Sequence, residues 1–282
     1  MSILRYRPAE LRRRFYRRPL PGMFDRFLRY IEALVPPGAL VLDAGCGRGN
    51  IFRYRQGSWS DGVRVVGVDR RDHMGGNPNL DSPIRADLGS LPFPDASFDA
   101  IICAHVAEHL DKPEAAFSDM ARVLRPGGPL LLLTPNRRHY VPLLARLLPH
   151  RLHVAVNRRR GVDGHDILPT FYRANTPDRL RQLMEQGGLT VERLELLEPE
   201  PDYLAFHPLA YAAGVAYQRV VNRVPALALL RVTILAVGRR PVRESATRSS
   251  LAGPRPAEVA ALAAIGEEDG GPAPGVRALP GR

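Results

Sequence analysis

The sequence predicts an α/β fold built on a doubly wound, mostly parallel sheet. Three observations predict it: short, wholly apolar segments recur along the chain, helical segments alternate with several of them, and acidic residues end the first three. Continuous apolar runs are typical of strands buried on both faces of a parallel sheet, and alternation with helices indicates βαβ units. With 282 residues, 45% of them hydrophobic, the chain can form one large domain.

The predicted elements begin with an amphipathic helix at residues 23–35, where apolar residues have helical spacing. Five apolar strands follow, at 39–45, 63–69, 82–87, 98–104 and 129–136. One helix begins at residue 113 and continues to the Pro-Gly-Gly turn at 126–128, before the fifth strand. A second helix, at 176–188, has Thr176 as its N-cap. Two further strands, at 189–200 and 230–241, enclose an apolar helical segment at 202–228.

The net charge of +11 is concentrated in two arginine-rich segments. Residues 1–30 and residues 137–160 together carry +14, so the rest of the chain is slightly acidic. Codon bias with a solvated basic face explains this pattern most simply, and a contact with phosphate, nucleic acid or lipid headgroups is the alternative. Two cysteines, Cys46 and Cys103, in apolar surroundings favour a reducing cytoplasm.

A glycine-rich turn follows the first strand, in the segment VLDAGCGRGN. Gly45, Gly47 and Gly49 form G-x-G-x-G, which differs from the G-x-G-x-x-G dinucleotide fingerprint, although such a turn also lets a ligand approach the backbone. Asp43 stands before the first glycine, where a carboxylate disfavours a pyrophosphate and suits an ammonium or sulfonium group. The turn therefore predicts a cationic ligand.

Two more acids extend this pattern along the sheet. Asp69 ends the second strand, where an acid can accept hydrogen bonds from both hydroxyls of a ribose. Asp87 ends the third strand and can bind an exocyclic amine. Because open α/β sheets bind ligands at the carboxyl ends of their strands, the three acids predict an adenosine with a cationic, amino-acid-like tail.

Four segments in this order resemble the class I S-adenosylmethionine-dependent methyltransferases: VLDAGCGRGN, VVGVDR, ADLGSLPFPDASFDAIICAHVAEHL and RVLRPGGPLLLLTPN. The resemblance covers residues 38–136 and is strongest to enzymes acting on small molecules, glycans or quinones. It implies a Rossmann-like sheet of seven strands, with the last strand antiparallel and a helical insertion before it. It also implies S-adenosylmethionine as cofactor and transfer of its methyl group, with oxygen as the expected acceptor atom.

The resemblance also assigns roles to individual residues. Those that would bind the cofactor's methionine moiety are Asp43, Gly45, Cys46, Gly47 and Gly49. Asp69 would bind the ribose, while Asp87, Leu88 and Arg70 would lie at the adenine, and Ala104 and His105 at the methyl-donating end. The segment HMGGNPNLDS replaces a helix usual in the family, which leaves the place of Arg70 open.

Residues 104–110, AHVAEHL, contain H-x-x-E-H, a zinc-peptidase signature when it lies within one helix. Here the signature begins at the end of an apolar strand, so we expect no metal site. His105 is instead the first candidate for a general base, because it follows the fourth strand. Glu108 and His109 are further catalytic candidates, and His165, Tyr172 and Arg173 are candidate substrate-binding residues.

The expected organisation is a methyltransferase domain over residues 1–242 and a low-complexity, disordered tail over 243–282. Residues 1–37 form a basic helical region of that domain, and residues 202–228 a helical lid or insertion. The expected acceptor is a small molecule or a glycan- or lipid-linked compound, in the cytoplasm, with a possible anionic membrane contact through the N-terminal arginines. Alternatives are an RNA methyltransferase, a non-catalytic relative that binds cofactor or partners, and, least favoured, a zinc peptidase.

Overall fold

The computed structural model describes residues 8–17, 20–49, 53–55, 60–72, 74–147 and 168–242. His165 and the expected tail, 243–282, lie outside these ranges. The strands are β1 (Leu40–Ala44), β2 (Arg64–Asp69), β3 (Ser82–Arg85), β4 (Ala100–Ala104), β5 (Pro129–Pro135), β6 (Thr190–Leu197) and β7 (Thr233–Arg239). The helices are α1 (Pro8–Phe15), α2 (Met23–Leu34), α3 (Pro113–Val123), α4 (Tyr140–Leu147), α5 (Pro177–Gln186) and α6 (Pro208–Arg223).

The described strands form one seven-stranded sheet in the order β3-β2-β1-β4-β5-β7-β6. The first five strands pair in parallel, and β7 runs antiparallel to both β5 and β6. The predicted α/β class, with its antiparallel last strand, is therefore confirmed. The carboxyl ends of the five parallel strands lie at one edge of the sheet, which we call the carboxyl edge.

Helices cover both faces of the sheet. On one face, α3 and α5 bury Phe117, Met120 and Leu183 against the strands, and on the other face α2 buries Phe27 and Ile31. The strands have almost no exposed residues in the centre of the sheet, as expected for strands covered on both sides. The sequence predicted all seven strands and the helices on both faces.

Helix α3 is shorter than the sequence predicted. It ends at Val123, and Leu124 already has extended backbone angles, φ −76° and ψ 136°. Arg125 precedes Pro126, and the proline ring disfavours helical geometry in the residue before it. Leu124 is also fully buried in the core, so the chain leaves the helix before the Pro-Gly-Gly turn.

The segment between β6 and β7 is helical, as the pattern of residues 202–228 predicted. It contains short 3-10 turns at Asp202–Leu204 and Pro225–Leu230 on either side of α6. Helix α1 packs against α6, with Leu11 buried beside Tyr211 and Val215. Among the described helices, none is both long enough and apolar enough to cross a bilayer.

Candidate functional site

The glycine turn after β1 has left-handed backbone angles at all three glycines, with φ of 78° at Gly45, 51° at Gly47 and 67° at Gly49. A Cβ atom on Gly45 would stand 2.4 Å from Val106 Cγ2, and one on Gly49 would stand 2.2 Å from Asn77 Oδ1. A Cβ on Gly47 would meet no atom of the described residues within 4 Å. The backbone at Gly47 thus faces open space, where a ligand can approach it.

Asp43 lies at the end of β1 and is buried, with 6% of its surface exposed. Its Oδ2 accepts a hydrogen bond of 2.6 Å from the Tyr54 hydroxyl. Burial raises the pKa of Asp43 to about 7, the bond from Tyr54 acts in the opposite direction, and the charge of Asp69 adds to the rise. A cationic ligand beside Asp43 would favour its ionised form.

Asp69, at the end of β2, connects this strand to the glycine turn. Its Oδ2 accepts a hydrogen bond from the Gly47 backbone N–H at 3.2 Å, and its Oδ1 accepts one from the Arg71 N–H at 2.9 Å. A carboxylate offers about four acceptor positions in all. Asp69 therefore keeps acceptor capacity for further donors, such as a pair of ligand hydroxyls.

Asn77 is a residue of this site that the sequence reasoning missed. It is buried, and its Nδ2 donates to the carbonyl oxygens of Cys46 at 3.0 Å and Gly47 at 3.2 Å. Its Oδ1 accepts from the Asn79 N–H at 2.9 Å. The segment that replaces the usual helix therefore supports the glycine turn, and the Gly-Asn-Pro-Asn turn residues were the available signal.

The third acid, Asp87, lies just beyond β3 and is more exposed than the other two. Its Oδ1 accepts a hydrogen bond from the Gly89 N–H at 2.8 Å, and its Oδ2 lies 3.2 Å from Arg70 Nε. Leu88, next in sequence, is buried in the core against the α3 face. The structure thus brings Arg70 to Asp87, at the expected adenine side of the carboxyl edge.

His105 follows β4 directly and has a left-handed backbone with φ of 57°, which is uncommon for a residue other than glycine. Its backbone N–H donates to the Leu133 carbonyl oxygen at 2.8 Å, and its ring lies 5.6 Å from the Phe24 ring. His105 Nδ1 stands 3.4 Å from Glu108 Oε1. His105 Nε2 is buried and has no hydrogen-bond partner among the described residues.

Glu108 contacts His105 with one carboxylate oxygen and accepts a hydrogen bond with the other. It is buried, and its Oε2 accepts a hydrogen bond of 2.9 Å from the Thr134 hydroxyl, whose oxygen accepts one of 2.7 Å from Asn175 Nδ2. Burial alone would raise the pKa of Glu108, but the hydrogen bond and charge of His105, with a contribution from His109, outweigh burial and lower it. Neither Thr134 nor Asn175 was among the site residues that the sequence predicted.

His109 is the remaining candidate of the AHVAEHL segment. His109 ends a 3-10 turn, Ala107–His109, and its Nδ1 lies 2.8 Å from the Pro169 carbonyl oxygen. No group of three potential metal ligands occurs among the described residues. The signature therefore does not lie within a continuous helix, which a zinc peptidase would need.

Tyr172 and Arg173 line a cleft of about 440 Å³. The backbone N–H of Tyr172 donates to the Glu108 carbonyl oxygen at 3.2 Å, and the Arg173 guanidinium stacks on Phe171, 5.4 Å from the ring centre. Three arginines and two acids line the cleft, and Arg179 forms an ion pair with Glu114. The lining residues are Asp111, Glu114, Arg137, Tyr172, Arg173, Asn175, Thr176 and Arg179.

These residues fit the cofactor that the sequence resemblance implies. The buried carboxylate of Asp43 suits a ligand with ammonium and sulfonium charges, and the open space at Gly47 allows backbone contact. Asp69 retains acceptor positions for hydroxyls. Burial raises the pKa of the Cys46 thiol and keeps the thiol protonated.

Comparisons with known proteins agree with this arrangement. A family described as a methyltransferase domain matches residues 42–132. A ubiquinone biosynthesis O-methyltransferase of Xylella fastidiosa is 34% identical over 151 residues, which cover 48% of this chain and 61% of that protein. A Mycolicibacterium smegmatis protein named "Probable S-adenosylmethionine-dependent methyltransferase" is 40% identical over 112 residues, covering 37% of this chain and 41% of that protein. The matches thus span about half the length of these relatives.

Proposed function

Because residues 42–132 form a domain of the class I S-adenosylmethionine-dependent methyltransferase family, we propose that this protein transfers the methyl group of S-adenosylmethionine to a hydroxyl of a small-molecule, glycan-linked or lipid-linked acceptor. One observation carries the proposal. The buried acid Asp43, the open backbone at Gly47 and the partly free carboxylate of Asp69 lie together at the carboxyl edge, in the family's order.

In this proposal the cofactor lies along the carboxyl edge. Asp43 faces its cationic end, the turn from Gly45 to Gly49 binds the methionine moiety through the backbone, and Asp69 accepts both ribose hydroxyls. Asp87 and Leu88 border the adenine, and the ion pair of Arg70 with Asp87 supports this side. Ala104 and His105, at the end of β4, border the methyl-donating end.

When bound, S-adenosylmethionine supplies a methyl group on a sulfonium, already activated for displacement. His105 Nε2 takes the proton that the acceptor hydroxyl loses as its oxygen forms the new bond to carbon. Glu108, ionised and 3.4 Å from His105 Nδ1, stabilises the resulting imidazolium. A positioned general base of this kind contributes roughly 10²–10⁴-fold to the rate.

The acceptor is proposed from the residues around His105. Phe24 provides an aromatic surface beside the His105 ring, and Arg173 in the cleft can bind an acceptor that also carries a carboxylate or phosphate. The Xylella fastidiosa relative, named for O-methylation in ubiquinone biosynthesis, supports oxygen as the methylated atom. His109 and His165 stay predictions, as possible contributors to the acceptor site.

We also propose where the protein acts and how the chain is divided. Residues 1–242 form the catalytic domain, and residues 202–228 form its helical insertion. The two free cysteines, of which Cys103 is buried, favour the cytoplasm. The exposed Arg13, Arg14 and Arg17 of the N-terminal region support a peripheral contact with an anionic membrane.

The test of this function is the transfer of isotope-labelled methyl groups in a metabolite extract. The wild-type chain should label one small molecule or lipid-linked compound. His105→Ala should lower turnover at least ~100-fold, since it removes the base, while His207→Ala, at an exposed histidine that caps α6, should leave turnover unchanged.

Three outcomes would contradict the proposal. Label that appears only in RNA would favour an RNA methyltransferase, and absence of transfer despite tight cofactor binding would favour a non-catalytic relative. Unchanged turnover in His105→Ala would remove His105 from the role of base.

A further inference from the structure

Helix α6 has apolar residues on two opposite sides. One side buries Tyr211, Val215 and Val221 against the protein. The other side faces solvent with Leu209, which is 76% exposed, and Val220, which is 50% exposed. These two residues are eleven apart, three helical turns, so they share one face of the helix. A helix that only covers a core carries mainly polar residues on its outer face, whereas the outer face of α6 also carries Leu209 and Val220.

The exposed apolar surface continues beyond the helix. Ala213 and Ala216 occupy the outer face between Leu209 and Val220 and are exposed. Large exposed apolar side chains also stand before and after the helix. We call the whole set the outer stripe: Phe206, Leu209, Ala213, Ala216, Val220, Val224 and Leu229. Exposed apolar side chains that are grouped on and around one helix in this way indicate an interaction site.

The outer stripe has a basic border. Arg219 Nη2 donates to the Phe15 carbonyl oxygen at 3.0 Å, so the end of α1 lies beside α6. Exposed arginines continue along both elements, and we call them the basic border: Arg13, Arg14, Arg17, Arg219 and Arg223. Residues 203–243 contain no acid, and neither do residues 11–24. The nearby acids Glu200 and Asp202 already pair with Arg12.

We propose that the outer stripe and the basic border form a docking surface for an anionic lipid bilayer. The stripe enters the interface between headgroups and acyl chains, and the arginines contact the phosphates of the headgroups. Apolar side chains flanked by basic ones are the combination that binds such interfaces. The inference deepens the peripheral membrane contact proposed above, because it adds the apolar element that arginines alone do not supply.

The charge of the basic border favours an anionic bilayer over a second copy of the chain, and the apolar stripe favours a bilayer over a nucleic acid. A second copy of the chain, packed symmetrically on the stripe, would bring one basic border close to another, and like charges repel. A nucleic acid would contact the arginines but would gain little from exposed leucine and valine, since single strands bind through stacking on aromatic rings. An anionic bilayer matches both parts of the surface.

The experiment measures binding of the full chain to vesicles of phosphatidylcholine, with and without phosphatidylglycerol. The wild type should bind vesicles that contain phosphatidylglycerol and bind plain phosphatidylcholine weakly. Leu209→Ser combined with Val220→Ser should weaken binding at least tenfold, because two exposed apolar side chains are lost from the interface. Each change of Arg13, Arg14 or Arg17 to Gln should weaken it about fivefold, the equivalent of ~1 kcal/mol per basic residue.

Matched controls lie at the opposite edge of the sheet. Val242→Ser removes an exposed valine near Gly127, and Arg64→Gln removes an exposed arginine at the start of β2. Both should bind vesicles like the wild type. S-adenosylmethionine affinity, measured on every variant, should stay unchanged. Loss of vesicle binding in the stripe variants therefore reports on the docking surface, independently of methyl transfer.

Vesicle binding that survives both sets of substitutions would overturn the inference. So would a wild type that forms a dimer broken by Leu209→Ser with Val220→Ser, or one that binds RNA and no vesicle. Failure of the wild type to bind S-adenosylmethionine would overturn the proposed function and leave the vesicle result standing.

Discussion

At the scale of single residues, Asp43 has the strongest electrostatic consequence in the site. It is buried beside Tyr54 and near Asp69, and its pKa is raised to about 7. In the free protein it therefore takes up a proton as the pH falls below neutrality. A cationic ligand favours the ionised form, so ligand binding must release that proton.

We expect S-adenosylmethionine affinity to rise with pH between about pH 5 and pH 7, by up to about tenfold per pH unit. The ligand's own amino group stays charged over this window, since an α-amino group has a pKa near 8. Calorimetry at pH 6 in two buffers of different ionisation enthalpy should detect release of nearly one proton. Asp43→Asn, which does not titrate, should abolish the dependence, and a pH-independent wild type would contradict this role of Asp43.

The same linkage affects stability in the absence of ligand. The folded-state pKa of Asp43 lies above the unfolded value of about 3.9. The protonated form is therefore favoured by folding, and its contribution is complete at low pH. That contribution is lost as the pH rises through the window from about 4 to about 7, at up to ~1.4 kcal/mol per pH unit.

Sequence reasoning reached some site residues and missed others for physical reasons. Asp43, Asp69 and His105 stand where apolar strands end, and the edge of a parallel sheet brings such positions together. Tyr54 and Asn77 reach the site from irregular segments, where no periodicity predicts the direction of a side chain. Their contacts depend on the folded chain as a whole.

At the scale of elements, the turn between β1 and the following segment has two kinds of glycine. Gly45 and Gly49 exclude a side chain because a Cβ would collide with Val106 or Asn77. Gly47 also has positive φ, but its Cβ would project into open space. Gly45 and Gly49 therefore allow the turn to pack closely, whereas Gly47 leaves space in which a ligand can approach the backbone.

Gly47→Ala should weaken S-adenosylmethionine binding at least ~tenfold, as its methyl group would occupy the space at the backbone. Gly38→Ala is the matched control: Gly38 has φ of 72° and equally open surroundings, but it precedes β1 at the opposite edge. Both changes should cost stability by about 1–2 kcal/mol, for left-handed geometry in alanine. Equal loss of affinity in the two variants would show that backbone strain, rather than the ligand site, is responsible.

The elements themselves were largely predictable. The central strands left a clear apolar signal because they are buried on both faces. The edge strands β3 and β6 are more exposed, and turn residues and the order of the elements helped to predict them. The N-terminal region was expected to be helical, but the separate helix α1 and the short helix α4 were not distinguished. Both are single eight-residue helices, whose patterns are short. The end of α3 was predicted too late, because packing of Leu124 and the proline at 126 act together.

At the scale of the whole molecule, the strand order determines where the proposed functional residues lie along the carboxyl edge. The β1, β2 and β3 side of the carboxyl edge holds the three acids, and the end of β4 holds His105. The antiparallel pair of β7 and β6 brings the helical insertion to that same edge, next to the N-terminal helix. The proposed cofactor site and the proposed base therefore lie along the carboxyl edge, and the helices of the proposed bilayer surface are connected to the same edge.

The central claim is that S-adenosylmethionine binds between the ends of β1 and β2, and calorimetric titration of the wild type and Asp69→Ala tests it most directly. Asp81→Ala is the control, since Asp81 accepts from the Val65 N–H near the opposite end of β2, and thermal melting checks that each variant folds. We predict one binding site in the wild type and at least tenfold weaker affinity, about 1.4 kcal/mol, in Asp69→Ala alone. Unchanged affinity in a folded Asp69→Ala, or no binding by the wild type, would contradict the account.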